Sequence, residues 1–386
     1  MTTTLSKTQA GSSATTVETI VDAADFAALR QEWNELLQSS DSDCLFLTWE
    51  WLYMWWSHLA EDRHLQILEV RVEGQLVALA PCCLRPSRLL RWRPLPVLEF
   101  LGSGSVGSDY LDVIVRRGRE TEARLALASH LAAKQLMIDW KQLKRSGNLA
   151  VGVASDLAAN GWSTAESVTN KCPFIPLAGR SWESYLATLS AEHRYNFHRK
   201  WKRLNRDFAV QFDRVRTRQD SRESVGMLIA LHNLRWNGRG GSDAFDTSAL
   251  VEFHRQLSAL ALDRDWLQFY VLRLDGRPAA FLYGFLYRRT FYFYQSAFDA
   301  TFEKYSVGLV TMGLAIKSAI EAGAEEYDLL HGNEAYKAHW SHDSRELARL
   351  EMYPPGSVGW ICRSSVGLER ASRKFARCVL PKGLLP

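Results

Sequence analysis

LQILEVRVEGQLVALAPCCL, residues 65–84, and LQFYVLRLDGRPAAFLYGFL, residues 267–286, decide how this chain folds. The two stretches align without a gap, Leu65-Gln66 on Leu267-Gln268 and Glu73-Gly74 on Asp275-Gly276. In each, apolar residues flank an acidic-Gly pair, which spells strand, tight turn, strand. Two hairpins of one design, roughly two hundred residues apart, imply two copies of one α/β domain with a groove between them.

The surroundings of the two hairpins follow the same order. Ahead of the first, Val17–Val21 reads as a strand. Asp25–Gln38 places Phe26, Leu29, Trp33, Leu36 and Leu37 at helical spacing, and Thr48–Leu59 is a helix with Thr48 as N-cap. After it come strands at Val97–Leu101 and Tyr110–Val115, a helix over Glu120–Trp140, and short strands over Leu149–Pro176. Ahead of the second hairpin lie helices over Trp182–Leu189, Ala191–Phe208, Ser221–Trp236 and Ser248–Asp263, with a strand at Ala209–Val215. After it come a strand at Thr290–Ser296, a helix over Ser306–Ala322 and a strand at Tyr327–Leu330.

Bulk properties agree with this organisation. A chain of 386 residues exceeds one ordinary core. Its 47% hydrophobic and 23% charged residues are a normal globular balance, and the 14 tryptophans read mainly as core. A net charge of +4 does not mark a dedicated nucleic-acid binder, so no DNA is expected. The six cysteines include no CxxC pair, which excludes a zinc ribbon or a thioredoxin-type site and points to a reducing cytoplasm. Residues 1–17 lack an apolar signal region and read as a disordered tail. Domains are expected at 18–175 and 176–355, followed by a basic tail at 356–386.

Gly102-Ser-Gly104-Ser-Val-Gly107 spells G-x-G-x-x-G after an apolar strand. A dinucleotide site needs a helix next, and Tyr110–Val115 reads as a strand, so a Gly/Ser loop is the better account. The loop Ser296–Gly308 is more telling. An aromatic strand enters it and a helix capped by Ser306 leaves it, and the free N–H groups of a first helical turn attract anions. Gly308 would let a phosphate approach. In YDLLHGNEAYKAHW, residues 327–340, a strand delivers polar residues at its C-terminal end, where open α/β sheets hold ligands. Lys337, set among aromatics, is placed to pair with an oxyanion. His339 and His342 have no third ligand in sight, so no metal is expected.

These segments, DGRPAAFLYGFLY, FDATFEKYSVGL and YDLLHGNEAYKAHW, resemble the BioF2-like or CelD-like acetyltransferase family. That family is a GNAT branch related to the FemAB aminoacyltransferases. FLTWEWLYMWW and GSDYLDVIV also fit, and the resemblance spans roughly residues 18–352. It departs from the family where Arg and Asp commonly flank the glycine, since His331 and Asn333 stand there. The resemblance implies tandem GNAT-like α/β domains with mixed sheets. It implies an acyl-CoA co-substrate, with no permanently bound cofactor, and a small-molecule or glycan acceptor. By position, Tyr305, Ser306, Val307 and Gly308 hold the donor pyrophosphate. Lys337, Asp299 and Asp109 are the catalytic candidates. Tyr336, Glu334, His331, Asp112 and Trp340 are the acceptor candidates. With no GxSxG elbow, direct transfer assisted by a general base is expected. A Fem-type transfer from aminoacyl-tRNA, or a non-catalytic scaffold in exopolysaccharide synthesis, are the alternatives.

Two basic segments remain. Residues 193–206 carry six Arg/Lys and no acid, and residues 356–386 carry six against Glu369. Contact with a polyanion or a membrane surface through 193–206 and 363–380 is the functional reading, against that of solvated faces. The expected location is cytoplasmic, or peripheral at the inner face of the membrane.

Overall fold

The computed structural model describes residues 15–86, 96–104, 106–237, 245–332 and 334–379, with the side chains of 235–237 and 368–379 excepted. Most of the expected N-terminal tail, Ser105 of the Gly/Ser loop, Asn333 and the last seven residues lie outside them.

The first half runs β1 (Thr15–Ile20), α1 (Ala23–Ala28), α2 (Arg30–Gln38), α3 (Trp49–Leu59), β2 (His64–Leu65), β3 (Ile67–Val72) and β4 (Gln75–Ala80). It continues with β5 (Cys82–Arg85), β6 (Val97–Phe100), β7 (Ile114–Val115), α4 (Glu120–Lys134), β8 (Met137–Lys144), α5 (Leu149–Ala159) and β9 (Ser163–Pro176). The second half runs α6 (Trp182–Thr188), α7 (Ala191–Asp207), β10 (Val210–Arg214), α8 (Arg218–Asn237), α9 (Ser248–Asp263), β11 (Leu267–Leu274) and β12 (Arg277–Tyr287). It ends with β13 (Thr290–Phe298), α10 (Val307–Glu321), β14 (Glu326–Asp328), β15 (Asp343–Tyr353) and α11 (Gly356–Val379).

Both hairpin turns form as read. Glu73 and Gly74 have φ of 51° and 81°, and Asp275 and Gly276 have φ of 50° and 76°. Two successive positive φ values give the turn whose twist matches the strands it joins. The hairpins then differ. β11 and β12 stay in one sheet throughout, whereas the first copy changes sheet at Gln66 and Pro81. Pro81 has no N–H to continue a ladder, so β3–β4 joins a four-stranded sheet and β2–β5 joins the larger one.

The larger sheet has eleven strands in the order β10-β11-β12-β13-β14-β9-β15-β8-β6-β5-β2. It passes through both halves of the chain. β9, from the first half, lies between β14 and β15, and β15 returns from the second half to pair with β8. The main apolar cluster likewise spans the halves, with Trp51 and Phe46 of the first half packed on Phe285 and Tyr292 of the second.

Several local readings are corrected. The helix expected over Glu120–Trp140 stops at Lys134, where Gln135 turns left-handed, and Trp140 belongs to β8. A short buried apolar run does not by itself separate strand from helix. Leu149–Pro176 is not a set of short strands. It is α5, capped by the Asn148 side chain, and then the single long strand β9. Asp25–Gln38 breaks at Leu29 into two helices. Only Ile114 and Val115 of Tyr110–Val115 pair as strand. Thr48 caps α3 as expected, its side chain accepting from the Trp51 N–H.

Candidate functional site

β13 and β14 run parallel but pair over only three residues, ending at Tyr292 and Asp328. β13 continues to Phe298 along β12. Beyond Tyr292 its other edge has no strand partner among the described residues, so the pairing stops short of the end of β13 and leaves a sheet edge open beside the end of β14. The C-terminal ends of strands are where open α/β sheets take ligands. The chain leaving β14 turns sharply, with Leu330 at φ 54° and Gly332 at φ 147°. The φ of Gly332 strains any residue with a Cβ, and a side chain there would also have to push aside the Glu334 carboxylate and the Lys337 ammonium, so the turn favours glycine.

That turn holds His331 against Asp109, 222 residues earlier in the chain. Asp109 is fully buried, and its Oδ1 lies 2.7 Å from His331 Nδ1. Its Oδ2 accepts the His331 backbone N–H at 2.9 Å, while Gln142 Nε2 donates to Oδ1 at 3.2 Å and Cys172 Sγ to Oδ2 at 3.5 Å. The His331 side chain keeps 32% exposure. With Nδ1 committed to the carboxylate, Nε2 is the nitrogen left for other chemistry. The Asp109 hydrogen bond, more than its charge, raises the imidazole's proton affinity above the ordinary value, against the opposing effect of burial. Burial pushes the Cys172 thiol far up, so it stays protonated and is no nucleophile.

The far side of the turn is built on Asp328. Its carboxylate accepts Tyr110 Oη at 2.7 Å and the Leu330 N–H at 2.8 Å, and Arg345 Nη1 lies 3.4 Å away. Burial pushes this carboxyl up to about 7, with Arg345 and Tyr110 pulling the other way. Gly107 closes the site from the first half. A Cβ there would sit 3.8 Å from His331 Cε1 and 3.9 Å from Tyr294 Oη, and Tyr294 donates to the Val106 carbonyl.

Lys337 is buried beside the dyad. Its ammonium donates to the carbonyls of His331 at 3.0 Å and Leu330 at 3.3 Å, and lies 3.1 Å from Glu334 Oε2. Those three partners match its three protons, so the geometry makes Lys337 a clamp on the turn and leaves no proton for an oxyanion.

The α10 N-terminus opens at the same end of the sheet. Ser306 is not the side-chain cap the sequence suggests. It is left-handed, with φ of 57° and no side-chain cap bond, which leaves the first-turn N–H groups without that partner. Val307 is buried and offers only its backbone, and a Cβ on Gly308 would face the Phe298 ring at 3.4 Å. Tyr305 packs on Phe208, with Arg203 4.8 Å and Lys304 5.2 Å from its ring centre. The basic helix α7 therefore borders this helix end.

Of the remaining candidates, Asp112, Asp299 and Trp340 are held in other contacts. Asp112 is buried as an acceptor for the N–H groups of Val113 and of Leu149 and Ala150, the last two of which start α5, and no hydrogen bond joins it to the dyad among the described residues. Asp299 caps the turn Ala300–Tyr305 through Thr301, and no hydrogen bond or ion pair joins it to the dyad among the described residues. Trp340 is core, packed on Phe197 and His193, with its carbonyl accepting Tyr185 Oη. Tyr336 and Glu334 are exposed on the turn. Sequence reasoning missed Tyr110, Tyr294, Asp328 and Arg345. The Tyr-Asp pair at 327–328 was visible, but Arg345 sits on β15, a strand with no turn signal to announce it.

Residues 191–338 match the family model described as an acetyltransferase (GNAT) domain. The second half carries a GNAT acyltransferase domain. Solved structures similar to the whole chain include FemX, at 11% identity and a TM-score of 0.60, covering 83% of this chain and 95% of that one. The C-terminal domain of a putative lysylphosphatidylglycerol synthetase from Agrobacterium fabrum aligns at 13% identity and a TM-score of 0.53, covering 91% and 96%. L-PGS from Bacillus licheniformis aligns at 11% and 0.51, covering 90% and 96%. At these identities the likeness is one of fold, and it extends the mixed α/β architecture of the GNAT domain to the first half. No curated protein sequence matches the chain.

Proposed function

We propose that the protein transfers an acyl group from acyl-CoA to an amine or hydroxyl, with His331 as general base and Asp109 as its orienting partner. The observation that carries this reading is the 2.7 Å contact between Asp109 and His331, made across the two halves beside the opened sheet edge. The acceptor's N–H or O–H gives its proton to His331 Nε2 while its lone pair attacks the donor carbonyl. The C–S bond then breaks, and the CoA thiolate leaves and takes up a proton. The first-turn N–H groups of α10, with Arg203 nearby, suit the donor phosphates. Kinship to the BioF2-like or CelD-like branch rests on the YSVG loop and the YK motif, and a cell-envelope or polysaccharide acceptor is part of the same reading.

One observation favours a second donor. The basic face of α7 borders the α10 N-terminus, and FemX and the lysylphosphatidylglycerol synthetase share the fold, so an aminoacyl ester on tRNA is the alternative. Thermal-shift titration with acetyl-CoA, longer acyl-CoAs and charged tRNA separates the two. With the active donor, His331→Gln should lower turnover roughly 10²- to 10⁴-fold with donor affinity nearly unchanged. A fully active His331→Gln enzyme removes the base assignment, and stabilisation by charged tRNA alone replaces the donor.

A further inference from the structure

Among its described side chains, the last helix, α11, is fastened to the body through Cys362, Arg363 and Val366. Cys362 and Val366 pack with Val97, Met137 and Tyr353, and Arg363 donates to Ser163 Oγ. On the opposite side Trp360 is 72% exposed and Ile361 37%. At about 100° per residue, the positions of Leu368, Ala371, Phe375, Cys378 and Val379 fall within about 50° of a line midway between Trp360 and Ile361. Of the remaining positions of the helix, only Ser357 and Ser364 fall in that band, and every charged position lies about 90° or more away from it. The helix sequence thus traces an apolar stripe, interrupted by Ser364 and with an aromatic near its start, opposite the positions of Cys362 and Val366.

We propose that α11 docks the protein onto an anionic lipid surface, lying in the plane of the membrane with this stripe in the headgroup boundary. Charge identifies the occupant. Residues 356–386 hold Arg363, Arg370, Arg373, Lys374, Arg377 and Lys382 against Glu369, an excess that suits acidic headgroups and sets like against like in a second copy of the helix. No helix among the described residues is long and apolar enough to cross a membrane, so contact is at the surface. The inference is independent of the acyl-transfer reading, since none of these residues belongs to that site.

The test is co-sedimentation of the full-length chain with phosphatidylglycerol vesicles and with phosphatidylcholine vesicles. Binding should favour the anionic vesicles and weaken with salt. Both Trp360→Glu combined with Phe375→Glu, and Arg373→Glu combined with Lys374→Glu, should lower the partition coefficient at least about tenfold. Trp360 is exposed, so an unchanged melting temperature confirms that the first variant is folded. The proposal fails if the wild-type chain stays in the supernatant, or if the folded variants bind as it does. It also fails if lipid-free ultracentrifugation shows a dimer that Trp360→Glu dissociates, because a second copy would then be the occupant.

Discussion

His331 depends on Asp109 for tautomer, orientation and proton affinity, and the last of these is measurable. A general base must be deprotonated, so kcat/KM should rise with pH as His331 loses its proton, with a midpoint above the usual imidazole value of about 6.5. Asp109→Asn removes the partner that raises this value. The rising limb should therefore move toward acid, and the plateau should fall because the imidazole loses its fixed orientation. An unmoved limb in the folded variant would show that the titrating base is another group. Lys337 belongs to the same argument through its hold on the Leu330 and His331 carbonyls, whose loss would leave two buried acceptors unpaired.

Among the elements, α10 joins the two parts of the donor reading. Its N-terminus faces the open end of the sheet, and its middle lets α7 come close. Gly313 stands where a Cβ would collide with the Phe197 ring of the basic helix, so only a residue without one allows this approach. Gly308→Glu tests the N-terminal turn. A carboxylate there is favourable to the helix itself, and the Phe298 ring needs to give by only a few tenths of an ångström, so the fold should hold. Phosphate would be repelled, and acyl-CoA affinity measured by calorimetry should fall at least about tenfold. Unchanged affinity would remove this turn as the donor site.

The whole molecule is held together by strands that cross between halves. β15 pairs with β9 and with β8, and removing it leaves two long strand edges unpaired in the middle of the eleven-stranded sheet. It would also uncover the Leu347, Ala348, Leu350 and Met352 side chains from the shared core. A chain ending at His342 should therefore lose its cooperative thermal transition and its near-ultraviolet dichroism. A truncated chain that melts cooperatively near the full-length temperature would mean that each half is stable alone.

Much of this architecture follows from local signals. The acidic-Gly turns dictate both hairpins because few residues tolerate two successive positive φ values. The periods of 2 and 3.6 mark most strands and helices, and the turn 330–337 was recognisable from its polar residues after an apolar strand. Local pattern is blind to pairing between distant segments. It does not reveal that Pro81 sends one hairpin into a second sheet, nor that a polar strand such as β9 lies between β14 and β15. Burial separates residues of equal sequence promise: Asp112 was spent on capping α5, Trp340 on the core and Asp299 on a local turn. Only the tertiary structure brings Asp109 under His331, because that contact depends on two halves folding around one continuous sheet.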